Sequence, residues 1–101
     1  MKTYTRERAS PRFRPKPGSH IVYLEGFGEI RDVSLHGVFV LDSHPLPVGT
    51  EFKFSFRFGN DDIPVQGVVQ RSIDGQGMGI ELTEASREAK NQLKYHLAAM
   101  F

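Results

Sequence analysis

Five residues in this 101-residue chain have types and spacing suited to gripping a small charged molecule. Asp32-Val33-Ser34-Leu35-His36-Gly37 sets a carboxylate, a hydroxyl and a glycine at D-x-S-x-x-G spacing, in a polar turn between two apolar runs. Arg8-Ala9-Ser10-Pro11-Arg12 sets two guanidinium groups four residues apart in a basic leader, an R-x-x-x-R pair. An ionised carboxylate only accepts hydrogen bonds, so Asp32 suits a ligand edge made of N–H donors. A guanidinium donates bidentately to phosphate or to a base edge and stacks on planar rings. Turn and arm therefore read as closing together on a small anionic ligand. Arg14, with Lys16 beside it, is a further candidate for anion contacts.

Neither motif is decisive alone. An R-x-x-x-R pair arises readily by chance in a chain with this much arginine. The D-x-S-x-x-G turn is rarer. It still has an ordinary explanation, because Asp and Ser bond nearby backbone in turns and Gly supplies positive φ.

The elements that must carry these residues follow from the pattern. At this length the chain is one domain, able to bury roughly two thirds of the surface its unfolded form exposes. Its net charge of +1 hides an asymmetry. Residues 1–20 hold six basic side chains against Glu7 alone, a net of +5, which leaves −4 for the remaining 81 residues. Pro11, Pro15 and Pro17 rule out a continuous helix there, so residues 1–17 read as a flexible basic N-terminal arm and 18–101 as the folded body. There is no cysteine, hence no disulfide framework and no thiolate metal site. No apolar run reaches the roughly 18 residues of a membrane span, and no apolar leader marks secretion. A cytoplasmic setting is expected.

Six strands and a helix are expected in the body. Ile21–Leu24 is β-branched and aromatic, with Gly26-Phe27-Gly28 reading as a turn. Glu29–Val33 leads into the D-x-S-x-x-G turn, and Gly37–Leu41 is apolar enough to be buried on both sides. Glu51–Phe58 alternates Phe52, Phe54, Phe56 and Phe58 with polar residues, the period of a half-buried strand. Gly59–Asp62 turns the chain into Ile63–Ile73, where Gly67 suggests a bulge, and Met78–Leu82 is the last strand. Thr83 reads as an N-cap with Glu84 in the first turn, and Ala85, Ala89, Leu93, Leu97 and Met100 recur at helical spacing over about residues 84–100. The fold class is all-β with a C-terminal helix: a six-stranded antiparallel barrel behind a basic arm.

The order of these features resembles the PilZ domain family. Arg8-Ala9-Ser10-Pro11-Arg12 is similar to its first motif and Asp32–Gly37 to its second, while Gly37-Val38-Phe39-Val40, Leu46–Thr50 and Gly77-Met78-Gly79-Ile80 look like its strand and turn phrases. The resemblance covers essentially the whole chain. It implies a bacterial receptor for cyclic di-GMP, with Arg8, Arg12, Asp32, Ser34 and Gly37 binding the ligand and Gly79 a further candidate at the same site. It also implies no cofactor, no catalysis, and output through a downstream protein such as motility, pilus or polysaccharide (biofilm) machinery. In this family an arginine just before the first motif favours a stacked ligand dimer. Glu7 stands there, so one ligand per site is expected.

Other chemistries find little support in the residues. His20, His36, His44 and His96 lack metal-ligand spacing, and His36, Asp42 and His44 read most simply as loop residues. There is no nucleophile–base arrangement, phosphate-cradling loop or paired carboxylate set, so no enzyme is expected. The alternatives are a small barrel binding RNA or single-stranded nucleic acid, and a ligand-free adaptor of the same fold. The acidic body opposes the first and the intact motifs oppose the second; DNA is not an expected partner.

Overall fold

A computed structural model describes residues 11–24 and 26–100 of the chain. Arg8 and the upstream part of the arm lie outside the described residues.

The body is a closed barrel of six antiparallel strands. They are β1 (His20–Tyr23), β2 (Gly26–Val33), β3 (Gly37–Leu41), β4 (Glu51–Phe58), β5 (Asp61–Ile73) and β6 (Gly77–Glu84). Around the barrel they run β1-β2-β3-β6-β5-β4, and β4 pairs with β1 to close it. Closure leaves no unpaired sheet edge. Alternation fills the interior: Phe54, Phe56 and Phe58 turn inward from β4, with successive ring centroids 5.5 and 5.6 Å apart. Phe52 joins the row, 5.1 Å from Phe54, at the less buried end. These rings pack with Ile21, Ile30, Val38, Val40, Ile63 and Met78 in one core.

One helix, α1 (Arg87–Ala99), follows β6 and covers the barrel end. Ala89, Leu93 and Leu97, four residues apart along one face, are buried in the barrel core. The N-cap is Ser86, whose Oγ accepts from the Ala89 N–H at 3.0 Å, not Thr83. Strand β6 continues through Glu84, and the Thr83 hydroxyl donates to the Gln66 carbonyl instead. The first-turn acid is accordingly Glu88, not Glu84.

Two further expectations shift. Gly26-Phe27-Gly28 belongs to β2 and not to a turn, because the chain reverses earlier, with Tyr23 paired to Gly26. Gly28 is needed in the strand, since a Cβ there would lie 3.0 Å from the Leu41 carbonyl oxygen. The β4–β5 turn is only Gly59–Asn60, with Asp61 and Asp62 already paired to Phe58 and Arg57. Gly67 does sit at a register shift between β5 and β6, where a Cβ would meet the Glu81 carbonyl oxygen at 2.7 Å.

Candidate functional site

The site is built by a break in alternation. In β2, Ile30 points into the core, and strict period two would next bury Asp32. Instead Arg31 is an extra residue: Ile30 pairs with Val40 and Asp32 with Phe39, so Arg31 has no partner in β3. This bulge turns both Arg31 and Asp32 outward and returns Val33 to the core. A second bulge does the same across the groove. Val69 pairs with Ile80 and Arg71 with Gly79, leaving Gln70 extra, and both Gln70 and Arg71 face out.

Between the two bulges lies a surface groove of about 470 Å³. Arg12, Arg31 and Asp32 form one wall, Gln70 and Arg71 the other, and Phe39 and Gly79 lie between them. Phe39 is buried although it faces away from the barrel core, because the Arg31 guanidinium lies over its ring at 4.0 Å. That stacking fixes a charged group that would otherwise be free to swing.

Asp32 is the hub of the wall. Arg12 Nε donates to its Oδ1 at 2.6 Å and Arg31 Nε to its Oδ2 at 2.7 Å. The carboxylate side chain is only 14% exposed, whereas the two arginines are about half exposed. Burial alone would raise its pKa, but the hydrogen bonds and charges of Arg31 and Arg12 outweigh that and hold it below the ordinary carboxylate value. Asp32 is therefore an anion at neutral pH.

Arg12 reaches Asp32 because the chain beside it is tethered. Phe13 forms an isolated antiparallel bridge with Val33, N–H to carbonyl in both directions at 2.8 and 2.9 Å. Its ring packs against the core. Composition suggested a loose arm through Pro17. The apolar Phe13 anchors its downstream part beside the D-x-S-x-x-G turn, across twenty residues of sequence.

Ser34 and Gly37 shape this turn. Ser34 is 2% exposed, and its Oγ accepts from the backbone N–H groups of His36 and Gly37, each at 3.2 Å. Its own N–H donates to the Gly37 carbonyl at 2.8 Å, and Arg12 Nη1 reaches the hydroxyl at 3.5 Å. Gly37 has a reason internal to the barrel: a Cβ would fall 2.7 Å from the Ile80 carbonyl oxygen. Both residues hold the backbone that presents Asp32.

Among the sequence candidates, the groove brings together Arg12, Asp32, Ser34, Gly37 and Gly79. Arg14 lies apart. It lines a second, more basic groove with Lys16, His20 and Arg57 near the end of α1. Sequence reasoning missed Arg31, Gln70 and Arg71. The available signal was the slip from two to three in the apolar spacing at Ile30–Val33 and the pair of polar residues after Val69. Asp42 and His44 form a local turn, with the Asp42 carboxylate accepting from the His44 N–H at 2.9 Å and from the Tyr23 hydroxyl. Among the described residues, no helix is long and apolar enough to cross a membrane.

Comparison with solved structures gives the same fold at low sequence identity. The PilZ domain of YcgR from Escherichia coli, solved with c-di-GMP, matches at TM-score 0.72 and 15% identity over 92% of this chain and 90% of that one. The Bacillus subtilis inhibitor of motility MotI/DgrA matches at TM-score 0.72 and 17% identity, over 91% of this chain but only 50% of its own length. The PilZ domain of CeSA from a cellulose-synthesizing bacterium matches at TM-score 0.62 and 16% identity, over 91% and 100%. No curated protein matches the chain. The PilZ domain model matches residues 6–99, a span that takes in both arginines of the R-x-x-x-R pair, the Asp32 turn, the barrel and the helix, and the chain belongs to the PilZ domain family.

Proposed function

We propose that this chain is a cyclic di-GMP receptor, a binding module and not an enzyme, whose site is the groove around Asp32. The observation that carries the reading is the Arg12–Asp32 pair at the groove mouth, at 2.6 Å, with the arm tethered beside it by the Phe13 bridge. The PilZ membership and the YcgR structure with c-di-GMP support the ligand's identity.

The chemistry follows from donors and acceptors. A guanine presents N1–H and N2–H donors on one edge and O6 and N7 acceptors on the other. Asp32, kept anionic, accepts from the first edge; Arg12, displaced from the carboxylate by those donors, turns to O6 and N7. Arg8 lies four residues upstream of Arg12, a span of at most about 14 Å, so its guanidinium can reach a phosphodiester or the face of the base. Ser34 and Gly37 act by holding the turn. Arg31 stays on Phe39 and keeps Asp32 from swinging away when Arg12 leaves.

Ligand binding draws the arm upstream of Phe13 onto the barrel, and the altered surface is what a downstream protein meets. Because part of the arm is already docked, the ordering cost is smaller than for a leader free along its whole length. With Glu7 beside Arg8, one ligand molecule per site is expected. Arg14 is left out of this reading, because it lines the other groove. The nucleic-acid alternative loses ground because the four phenylalanines of β4 line the interior.

Calorimetric titration with cyclic di-GMP tests the reading. Saturable binding at one ligand per chain is expected, lost or weakened at least about tenfold in Arg8→Ala and in Arg12→Ala. Unchanged affinity in both variants overturns the role of the arm, and absence of binding by the unmodified chain overturns the function.

A further inference from the structure

Gly79 has no structural reason to be glycine. Of the ten glycines in the chain, five adopt positive φ. Four more, Gly37 and Gly67 among them, would press a Cβ into a carbonyl oxygen at 3.0 Å or less. Gly79 does neither. Its φ is not positive, and a Cβ there would meet only Arg71 Cβ and Phe39 Cδ2, each at an ordinary 3.6 Å. The fold tolerates a side chain at this position, yet the position is empty, and it lies on the floor of the Asp32 groove.

The neighbours define what that emptiness is shaped for. Arg71 on β5, Gly79 on β6 and Phe39 on β3 form one cross-strand row on the outer face. Adjacent strands are about 4.8 Å apart, so the gap above Gly79 is one side chain wide, with Arg71 on one side and the Phe39–Arg31 stack on the other. A planar ring in van der Waals contact needs about 3.5 Å on each face and fits on edge. Arg71 has the chemistry for such a wall. It makes no hydrogen bond or ion pair among the described residues, whereas Arg12 and Arg31 are both engaged by Asp32. Its place is set by the Gln70 bulge, which is itself pinned by Gln70 Nε2 donating to Glu81 Oε1 at 2.7 Å.

We infer that the gap above Gly79 is a slot for a purine ring, and that Arg71 is its outer wall, stacking its guanidinium on the ring face. This rests on the reading of the groove as a cyclic di-GMP site and names how the ring is held. Arg71 and Gly79 then set the requirement for a flat base, while Asp32 and Arg12 read its edges.

The test uses the full chain, with calorimetric titration of cyclic di-GMP and thermal unfolding of the free protein. Gly79→Ala and Gly79→Val fill the slot in two steps. Arg71→Ala removes the wall, and Arg71→Lys keeps the charge without the plane. The free Gly79→Ala variant is expected to melt within a few degrees of the unmodified protein. Affinity is expected to fall in Gly79→Ala and further in Gly79→Val, and by about ten- to a hundredfold in Arg71→Ala, with Arg71→Lys rescuing it only in part. If the unmodified chain binds but Gly79→Val and Arg71→Ala bind as tightly, the slot is wrong and the cyclic di-GMP reading stands. Full rescue by Arg71→Lys would reduce Arg71 to a point charge and overturn the stacking role. If the unmodified chain does not bind, both readings fall together.

Discussion

Replacing Asp32 with asparagine keeps the shape of the hub and removes its charge. In the folded protein the carboxylate receives Arg12 and Arg31 at 2.6 and 2.7 Å. Both guanidiniums are about half exposed, so each pair is solvent-screened and contributes about 0.2–1 kcal/mol. The two together make Asp32→Asn cost about 1 kcal/mol at neutral pH, a fall in Tm of roughly 4–8 °C for a domain of this size. The pH dependence has a definite sign. The folded-state pKa of Asp32 lies below its unfolded value of about 3.9. The stabilisation is therefore complete above about pH 4 and disappears as pH falls through the lower, folded-state pKa. Thermal unfolding followed by circular dichroism, on both proteins from pH 7 to pH 2.5, should show a gap in Tm that narrows below pH 4. Added salt should shrink the neutral-pH gap. A gap that is absent at pH 7, or that keeps its size at pH 2.5, would refute the claim that Asp32 is a paired anion.

Three further outcomes follow from the same structure. Ser34→Ala should lower stability by about 1–3 kcal/mol in denaturant titration, because the backbone N–H groups of His36 and Gly37 lose a buried acceptor. Phe56→Ala, at a fully buried ring in the middle of the β4 row, should cost about 3–5 kcal/mol by the same measurement. Phe13 does not line the groove, and Phe13→Ala removes the ring that packs against the core and anchors the arm. It should weaken cyclic di-GMP binding roughly tenfold in calorimetry; undiminished affinity would show that docking of the arm does not depend on this anchor.

What could be read in advance was whatever a local period or a local motif encodes. The β4 phenylalanines declare their face by alternation, and the Asp32–Gly37 turn declares itself by residue type. The helix face was legible as well, but not its start: Thr83 and Ser86 are both competent caps, and only the continued pairing of β6 with β5 decides for Ser86. Gly28 misled for the same reason. A glycine in a strand can mark a turn or a close approach, and the Leu41 carbonyl that makes it the latter comes from another strand. Arg31 and Arg71 were hidden because a bulge is a property of two strands in register, not of one. Residue type and charge anticipated that the arm meets the Asp32 turn, but through a shared ligand and not by the direct Arg12–Asp32 pair. The Phe13 bridge that puts this pair in place depends on one ring finding the core across twenty residues.

The measurement that bears most directly on the account is an amide NMR titration of the intact chain with cyclic di-GMP. The predicted result is a set of shifts confined to Arg12, Phe13, the Arg31–Gly37 segment, Gln70, Arg71 and Gly79, with the arm upstream joining them. Shifts centred instead on Lys16, His20 and Arg57, or no shifts at all, would contradict it.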